Sequence, residues 1–377
     1  MIPRLFDQFE TEFNTLGFGG LGDAISCRVD WTENGPYELE MVYPTIGRRY
    51  EELRTDRIIL TSVGPDEELQ PFRIYHIQSG LLSTATVYAH QILYDLQGFT
   101  VMPFQAASLE EACAKLTSGA VTVSHPFTIT TTKTSPASCT VKTPRNIWSM
   151  LGGREGSLLD IYKGTWDFNR FTATLHERLG ADNGVLVRYG KNLQTLEQDE
   201  NISNTWTAVQ PYWLSPDEAT LVMLPERTIS AGEFDHVRIL ELDLSAEWQE
   251  PPTVEQLRQR AVRYITDNKV GVPAVGLDVQ FVPLDQTEEY KHLAFLSAVH
   301  KGDTVTVEFP TAMDRSTGAP RAFVQASGRV VSYTWLPMEN RYQTIRLGER
   351  KSNFVRTLAQ TQKDTQWIIS KIGGAVR

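Results

Sequence analysis

Residues 24–43, AISCRVDWTENGPYELEMVY, decide the fold class because they contain two runs of alternating apolar and polar residues around a turn signal. An alternation of period two places the apolar side chains on one face of a β-strand. The Asn34-Gly35 pair between the two runs tolerates the positive φ angles of a tight hairpin turn. The stretch therefore predicts an antiparallel β-hairpin with one buried face.

The same alternation continues on the C-terminal side of the hairpin. Further short strands are predicted near residues 58–63, 72–77 and 84–93. Short strands separated by turn residues are typical of sandwiches and barrels. We predict that residues 1–100 form a first, antiparallel β domain of one of these two kinds.

Residues 101–200 combine helical spacing with strand alternation. Apolar residues within 109–116 have the spacing of a helix, and Thr143-Pro144 predicts the start of a second helix that Gly152-Gly153 ends. The alternation on either side of Asn169-Arg170 predicts a hairpin. This region is expected to be an inserted mixed α+β domain.

Residues 201–350 resemble the first region in their strand alternation. Strands are predicted near 206–213, 219–224, 303–309, 322–326, 330–335 and 341–347. A capping box at Thr253-Val254-Glu255-Gln256 predicts a helix over 253–268. We expect a second β domain with a helical insertion around 250–300, followed by a C-terminal tail, 351–377, that is helical over 352–372.

Composition argues against several classes of function. A net charge of -10 and an isoelectric point near 5.3 disfavour nucleic-acid binding, because an acidic surface repels the phosphate backbone.

The three cysteines, Cys27, Cys113 and Cys139, include no CxxC pair. We therefore predict buried or half-buried thiols rather than a zinc site or a disulfide framework. We also predict neither a secretory signal nor a membrane-spanning helix. Such a protein would be made in the cytoplasm and would leave the cell by lysis or within a particle.

The sequence contains no set of motifs that indicates a catalytic or ligand-binding site. Residues 17–22, GFGGLG, satisfy the GxGxxG pattern, but no strand precedes them and a strand pattern follows, so we predict a glycine-rich turn rather than a dinucleotide site. The seven histidines have no recognisable zinc spacing, and His76 and His90 are expected to pack within strands. A GxSxG elbow and a phosphate-binding loop are both missing. We therefore predict no catalytic, cofactor-binding or metal-ligating residues, although a carboxylate dyad is neither implied nor excluded.

Eight strings spread over the chain carry a resemblance to a known family. They are YELEMVYP (37–44), QPFRIY (70–75), LGGREGSLLD (151–160), RYGKNL (188–193), QPYW (210–213), EEYK (288–291), GDTVTV (302–307) and RYQTIRLG (341–348). In this order they resemble the phage minor structural, or prophage tail-associated, proteins of Gram-positive hosts. That family includes tail-associated lysins whose N-terminal half is the baseplate hub.

The resemblance implies an α+β, mainly β fold with two tube-like antiparallel barrel or sandwich domains and inserted α+β elements. It implies a structural hub at the virion tail tip that links the tail tube or distal tail protein to the tip and forms part of the DNA ejection channel. The implied partners are further copies of the chain in a homotrimer, the distal tail protein, the tail tube, the tape-measure protein, and receptor-binding or spike proteins. DNA would pass without specific binding, and no cofactor is expected.

Two other classes of function compete with this interpretation. Longer relatives continue into peptidase, lysin or fibre regions, whereas this sequence ends at Arg377, so we expect a non-enzymatic protein and do not transfer the endopeptidase label. A cell-wall peptidase or glycosidase that acts during entry is nevertheless the main alternative. A carbohydrate-binding adhesin is the third interpretation, but most of the eight tryptophans lie at strand positions that indicate a core.

Overall fold

The protein is described by a computed structural model that covers two compact units. The described residues are 1–80, 83–188, 193–201, 206–215, 217, 219–232, 234, 236–245, 247–248, 250–268, 270–271, 274–281, 299–313 and 320–348. Unit 1 consists of Met1–Glu197 together with Leu277–Arg377, and unit 2 consists of Gln198–Gly276. The predicted helical tail, residues 189–192 of the 188–193 string and the whole 288–291 string lie outside the described residues.

The first strands of unit 1 confirm the predicted hairpin. They are β1 Arg4–Phe6, β2 Gly19–Gly20, β3 Ser26–Thr32, β4 Tyr37–Pro44, β5 Ile58–Thr61, β6 Gln70–Ser79 and β7 Thr84–Gln91, with single 3-10 helices at Tyr50–Glu52 and Ile92–Gly98. Strands β3 and β4 pair antiparallel from Ser26↔Val42 to Trp31↔Tyr37. Asn34 in the turn has a φ of 47°, which is the left-handed conformation that the Asn-Gly pair predicts.

The middle of unit 1 alternates short strands and short helices. The elements are β8 Thr100–Val101, β9 Phe104–Ala106, α1 Leu109–Ala114, a π-helical turn Lys115–Gly119, β10 Thr128–Thr131, β11 Cys139–Val141, β12 Arg145–Asn146, α2 Ile147–Leu151, α3 Leu158–Tyr162, β13 Thr165–Asn169, β14 Thr172–His176 and β15 Val185–Arg188. The hairpin predicted around Asn169-Arg170 is the β13–β14 pair.

One helix start in this region was predicted wrongly. Thr143-Pro144 precedes the short strand β12, and α2 begins only at Ile147. The side-chain oxygen of Asn146 accepts a hydrogen bond from the backbone N–H of Ser149 at 3.1 Å, so Asn146 caps the helix. The helix ends at Leu151 before Gly152, as predicted.

The part of unit 2 that the structure describes combines a four-stranded sheet with one helix. The chain leaves unit 1 within β16 Leu193–Asn201 and returns within β21 Ala274–Phe281, and between them lie β17 Ala208–Leu214, β18 Leu221–Met223, β19 Ile229–Ser230, β20 Ile239–Asp243 and α4 Val254–Asp267. Thr253 and Gln256 form the predicted capping box at the start of α4. Buried Leu257 and Ala261 lie on the apolar face of α4, which packs on the sheet.

The last strands return to unit 1 and complete its sheet. They are β22 Thr304–Met313, β23 Pro320–Leu336 and β24 Arg341–Gly348. The sequence predicts two strands where the structure has β23 alone. Strand β23 is long because it exchanges partners along its length. It pairs with β22 up to Arg329, and with β24 and β3 from Val330 onward.

The large sheet is mixed and joins both ends of the chain. Its strand order is β16-β21-β24-β23-β3-β4-β7-β6-β5-β1-β2, with β15 and β22 attached beside β23. The mainly β fold class is confirmed. Because β23 pairs with β3, the late strands belong to the same compact unit as the first strands. The domain boundaries at 100, 200 and 350 stay predictions. That residues 1–100 and the 201–350 region share a fold stays a prediction.

Among the described residues of unit 1, one apolar cluster includes members from Leu5 to Leu347. The three cysteines are free and buried, as predicted. Five of the eight tryptophans are buried in the cores of the two units: Trp31, Trp148, Trp166, Trp213 and Trp335. Among the described residues, none of the helices has the length and apolar character needed to cross a membrane.

Candidate functional site

A cluster of charged side chains surrounds Lys301, which lies in unit 1 just before β22. Its Nζ lies 3.3 Å from Glu67 Oε2 and 3.4 Å from Asp167 Oδ1, and 5.1 Å from the ring centre of Tyr37. The Lys301 side chain is only 10% exposed. Lys301, Glu67 and Asp167 border a pocket of about 320 Å³ whose lining also includes His300 and Gly180.

The pocket holds Lys301 as a cation. Burial lowers the pKa of an amine, but the neighbouring Tyr37, Glu67 and Asp167 together outweigh burial and raise the pKa of Lys301. Burial also raises the pKa of Tyr37, so the phenol beside the ammonium is neutral at physiological pH. A protonated amine has no lone pair for nucleophilic attack. The cluster is therefore suited to crosslinking three segments of the chain rather than to covalent chemistry.

Asp303 fixes the loop that closes one side of the pocket. Its side chain is almost completely buried and accepts hydrogen bonds from the backbone N–H groups of Ala181 at 2.8 Å and His300 at 3.0 Å. Gly180 and Gly302 have φ angles of 76° and 77°, and a Cβ on Gly180 would lie 2.0 Å from the Gly302 carbonyl carbon. The two backbones can approach this closely because neither residue has a side chain.

The ionisation of Asp303 and of His300 is coupled. Burial raises the pKa of Asp303, but hydrogen bonds from the His300 ring and from the two amides outweigh burial and hold it below the ordinary value. The hydrogen bond to Asp303 raises the pKa of His300, and burial only partly offsets this. The His300 Nδ1 and Asp303 Oδ2 atoms are 3.4 Å apart.

A second set of polar contacts joins the β3–β4 turn to segments far away in the sequence. Glu33 Oε1 accepts hydrogen bonds from Arg329 Nη2 at 2.8 Å and from Thr165 Oγ1 at 2.9 Å. Asn34 accepts from the backbone N–H of Trp166 at 2.9 Å and donates to the carbonyl of Gly164 at 3.0 Å. The turn that the sequence predicts therefore also docks β13 onto the sheet.

We call these contacts, together with the ion pairs of Lys301, the polar seam. It consists of Glu33, Asn34, Glu67, Thr165, Asp167, Lys301 and Arg329. The sequence analysis missed the polar seam, because its members are scattered charged and polar residues without common spacing. The turn signal at Asn34 was the one visible sign of it.

Aromatic rings line the outer face of β6 and β7. His90 stacks between Tyr75, at 3.9 Å between ring centres, and Tyr94, at 4.5 Å, and its Nε2 lies 3.3 Å from Glu38 Oε1. His76 stacks on Tyr88. Both histidines thus pack within strands, as predicted.

The GxGxxG segment is a turn that runs along the sheet edge. Gly19 and Gly20 form β2, which pairs with β1, and the next element is the strand β3. The Arg49 guanidinium occupies the space where a Cβ on Gly19 would lie. The segment therefore precedes no helix that could present amide groups to a pyrophosphate.

Across the ranges that the structure describes, no group of three His, Cys, Asp or Glu side chains could hold a metal ion.

Comparisons with known proteins find similarity in structure rather than in sequence. No family model matches the sequence, and neither does any curated protein. The structure is similar to the prophage tail protein gp18 from Listeria monocytogenes EGD-e, with a TM-score of 0.55 and 16% identity over 96% of this chain and 99% of that one. It is similar to the 43 kDa tail protein of prophage MuSo2 from Shewanella oneidensis, with a TM-score of 0.54 and 11% identity over 88% and 95% of the two chains.

A tail protein from Neisseria meningitidis MC58 gives a TM-score of 0.53 and 11% identity over 87% of this chain and 93% of that one. All three similarities extend over most of both chains. This chain therefore has the fold of phage and prophage tail proteins.

Proposed function

We propose that the protein is a structural component of a phage tail, acting as a hub at the tail tip. The observation that carries the proposal is the fold, which matches the Listeria prophage tail protein over 96% of this chain and 99% of that one. A match that covers nearly all of both chains supports a common role better than a match of one domain would. The eight strings that resemble tail-associated proteins agree with it.

In the proposed hub, three copies form a ring that links the tail tube or distal tail protein to the tip. Closed rings are a common way for identical subunits to bury complementary surfaces. Each copy carries a net charge of -10, so DNA that passes through such a ring would be repelled rather than retained. The tape-measure protein and a receptor-binding or spike protein complete the proposed set of partners.

The proposed role is architectural rather than enzymatic. The pocket around Lys301 contains the carboxylates that a hydrolase would need, but Glu67 and Asp167 both pair with the lysine cation. Both carboxylates therefore take part in ion pairs within unit 1. The polar seam instead supports a role in which unit 1 must keep its shape.

Labelling of intact particles tests the proposed location. Gold-labelled antibodies against the purified chain should bind at the distal end of the tail, and a strain that lacks the gene should make particles without a complete tip. Label on the capsid, or normal tips without the gene, would contradict the proposal.

Two measurements on the purified chain test the finer claims. Sedimentation at micromolar concentration should give the mass of a trimer, and a monomer that stays monomeric with the distal tail protein would contradict the ring. Incubation with peptidoglycan should release no soluble fragments under conditions in which lysozyme does. Fragment release that Glu67→Gln abolishes would favour the enzymatic alternative.

A further inference from the structure

The sheet of unit 2 has two faces with different surroundings. Val209 and Trp213 of β17 and Leu242 of β20 point to the face that α4 covers, where they form the buried core of the unit. Because side chains alternate along a strand, the residues between them point to the opposite face. We call this second side the open face.

Several side chains of the open face are apolar, and some of these lie opposite one another across the strands. The pairings are Ala208↔Ile239, Tyr212↔Met223 and Leu214↔Leu221. Leu221 is 55% exposed and Ile239 is 41% exposed, although both lie within strands. Leu221 lies beside Leu214 and Ile239 beside Ala208, at opposite ends of β17, so an element that covers both must run along this strand. Large apolar side chains exposed on a sheet face are typical of a surface that another element covers.

The apolar surface continues beyond the strands. Trp206 and Val237 lie two residues before the start of β17 and β20. Trp206 is 39% exposed and Val237 is 74% exposed. A hydrogen bond joins the two segments of the chain at this point. The backbone N–H of Arg238 donates to Thr207 Oγ1 at 2.7 Å.

Acidic groups accompany the apolar surface. Glu241 and Asp243 point to the open face from β20, and both are exposed. Residues 198–276 contain thirteen Asp and Glu but six Lys and Arg, so unit 2 carries -7 of the chain's net charge of -10. A second copy would bring the same negative surface against this one, and like charges oppose such a contact.

The covered face of the same sheet shows which kind of element fits it. Helix α4 contacts that face with an apolar stripe, and arginines flank the stripe. Arg258 Nε pairs with Glu226 Oε1 at 2.8 Å, and Arg260 Nη2 pairs with Glu247 Oε1 at 2.6 Å. A helix with an apolar stripe and basic flanks is therefore compatible in shape and charge with this sheet.

We propose that the open face of unit 2 is a docking surface for an amphipathic helix of a partner protein, with an apolar stripe flanked by lysine or arginine. The helix covers Leu221, Ile239 and their neighbours and places its basic flanks near Glu241 and Asp243. Unit 2 then becomes a three-layer arrangement with the sheet between two helices. This surface goes beyond the proposed hub function and does not depend on a trimer.

A designed helical peptide provides the probe. One 16-residue peptide carries leucines at helical spacing with arginines beside them, and its control carries glutamates in place of the arginines. Fluorescence anisotropy with the full chain at 0.15 M salt should show that the arginine peptide binds at least about tenfold more tightly than the glutamate peptide.

Three single variants locate the binding site. Ile239→Lys and Glu241→Lys should each weaken binding of the arginine peptide by about tenfold, because the first removes an apolar contact and the second reverses a charge. Val262→Lys is the matched control, since Val262 is an equally exposed apolar residue, 47% exposed, on α4. It should leave the affinity unchanged. Circular dichroism checks that all three variants keep the fold.

Two results would overturn the proposal. One is equal binding of the two peptides, or binding that Ile239→Lys and Glu241→Lys leave intact. The other is a loss of self-association in Ile239→Lys but not in Val262→Lys, which would identify a second copy as the occupant. Neither result bears on the particle labelling that tests the hub itself.

Discussion

Units 1 and 2 are stabilised over very different distances along the chain. In unit 1, the Glu33–Arg329 contact joins residues 296 positions apart, and the contact between Asn34 and Trp166 spans 132. In unit 2, the core and the arginine pairs of α4 all lie within residues 198–276. The comparison indicates that the core of unit 2 forms from contiguous residues, whereas unit 1 also needs contacts between distant segments of the chain.

The most damaging single change should be one in the core of unit 2. Trp213 is fully buried, and its Nε1 donates to the carbonyl of Trp248 at 3.0 Å. Trp213→Ala should cost about 3–5 kcal/mol, the range for removing a buried aromatic side chain. Hydrogen–deuterium exchange should show the loss of protection confined to residues 198–276.

Trp206→Ala is the matched control, because Trp206 is 39% exposed. It should change the free energy of unfolding by less than about 1 kcal/mol. If Trp213→Ala exposes the strands of unit 1 equally, the two units share one cooperative core and the comparison fails.

The next largest effect should come from the polar seam. Lys301→Met leaves Glu67 and Asp167 without their cation in a largely buried site. Removing one partner of a buried ion pair costs about 3–5 kcal/mol, and the lower end applies here because Asp167 is 31% exposed. Urea unfolding of the full chain measures this cost.

Lys163→Met provides the control for this change. Lys163 Nζ lies 3.6 Å from Asp160 Oδ1, but the Lys163 side chain is 75% exposed. The change should therefore lower the free energy of unfolding by at most about 1 kcal/mol. Equal effects of the two lysine changes would show that the seam is no stronger than an ordinary surface pair.

A smaller effect is expected at the start of α4. Thr253→Ala removes the hydroxyl that accepts from the backbone N–H of Gln256 at 3.3 Å, and should cost about 1 kcal/mol. Thr253→Ser keeps the hydroxyl and should retain most of the stability. The loss should again appear in the exchange of unit 2 alone, and a loss in Thr253→Ser of the same size would contradict the capping role.

The smallest effect should depend on pH and lie in unit 1. The pKa of His300 is higher in the folded chain than in the unfolded chain, so protonated His300 stabilises the fold. This stabilisation is complete below the pKa of His300 in the unfolded chain, and it is lost as the pH rises through the pKa of His300 in the folded chain. His300→Gln should therefore cost more stability at about pH 5.5 than at about pH 9. The lower pH stays above the ordinary pKa of Asp303, whose own contribution would be lost only on further acidification. If His300→Gln lowers the free energy of unfolding equally at both pH values, the His300–Asp303 pair does not stabilise the fold in the predicted way.

Local signals were predictable from the sequence and non-local ones were not. The Asn34-Gly35 turn and the capping box at Thr253 are confirmed, because each depends on residues within a few positions. The start of α2 was wrong because Thr143-Pro144 and Asn146 are both plausible caps, and the pairing of β12 with β8 favours the second. The Lys301 cluster had no sequence signal, since its carboxylates come from a loop and from β13.

The pairing of β3 with β23 sets an order of events during synthesis on the ribosome. Val29 pairs with Trp335, so one edge of β3 has no partner from this strand until more than three hundred residues have been translated. At roughly 5–20 residues per second, the wait lasts about 15–60 seconds. Unit 2 is contiguous and is complete before β23 emerges. The edge of β3 is therefore the part of the nascent chain most in need of protection, because an unpaired strand edge recruits other chains.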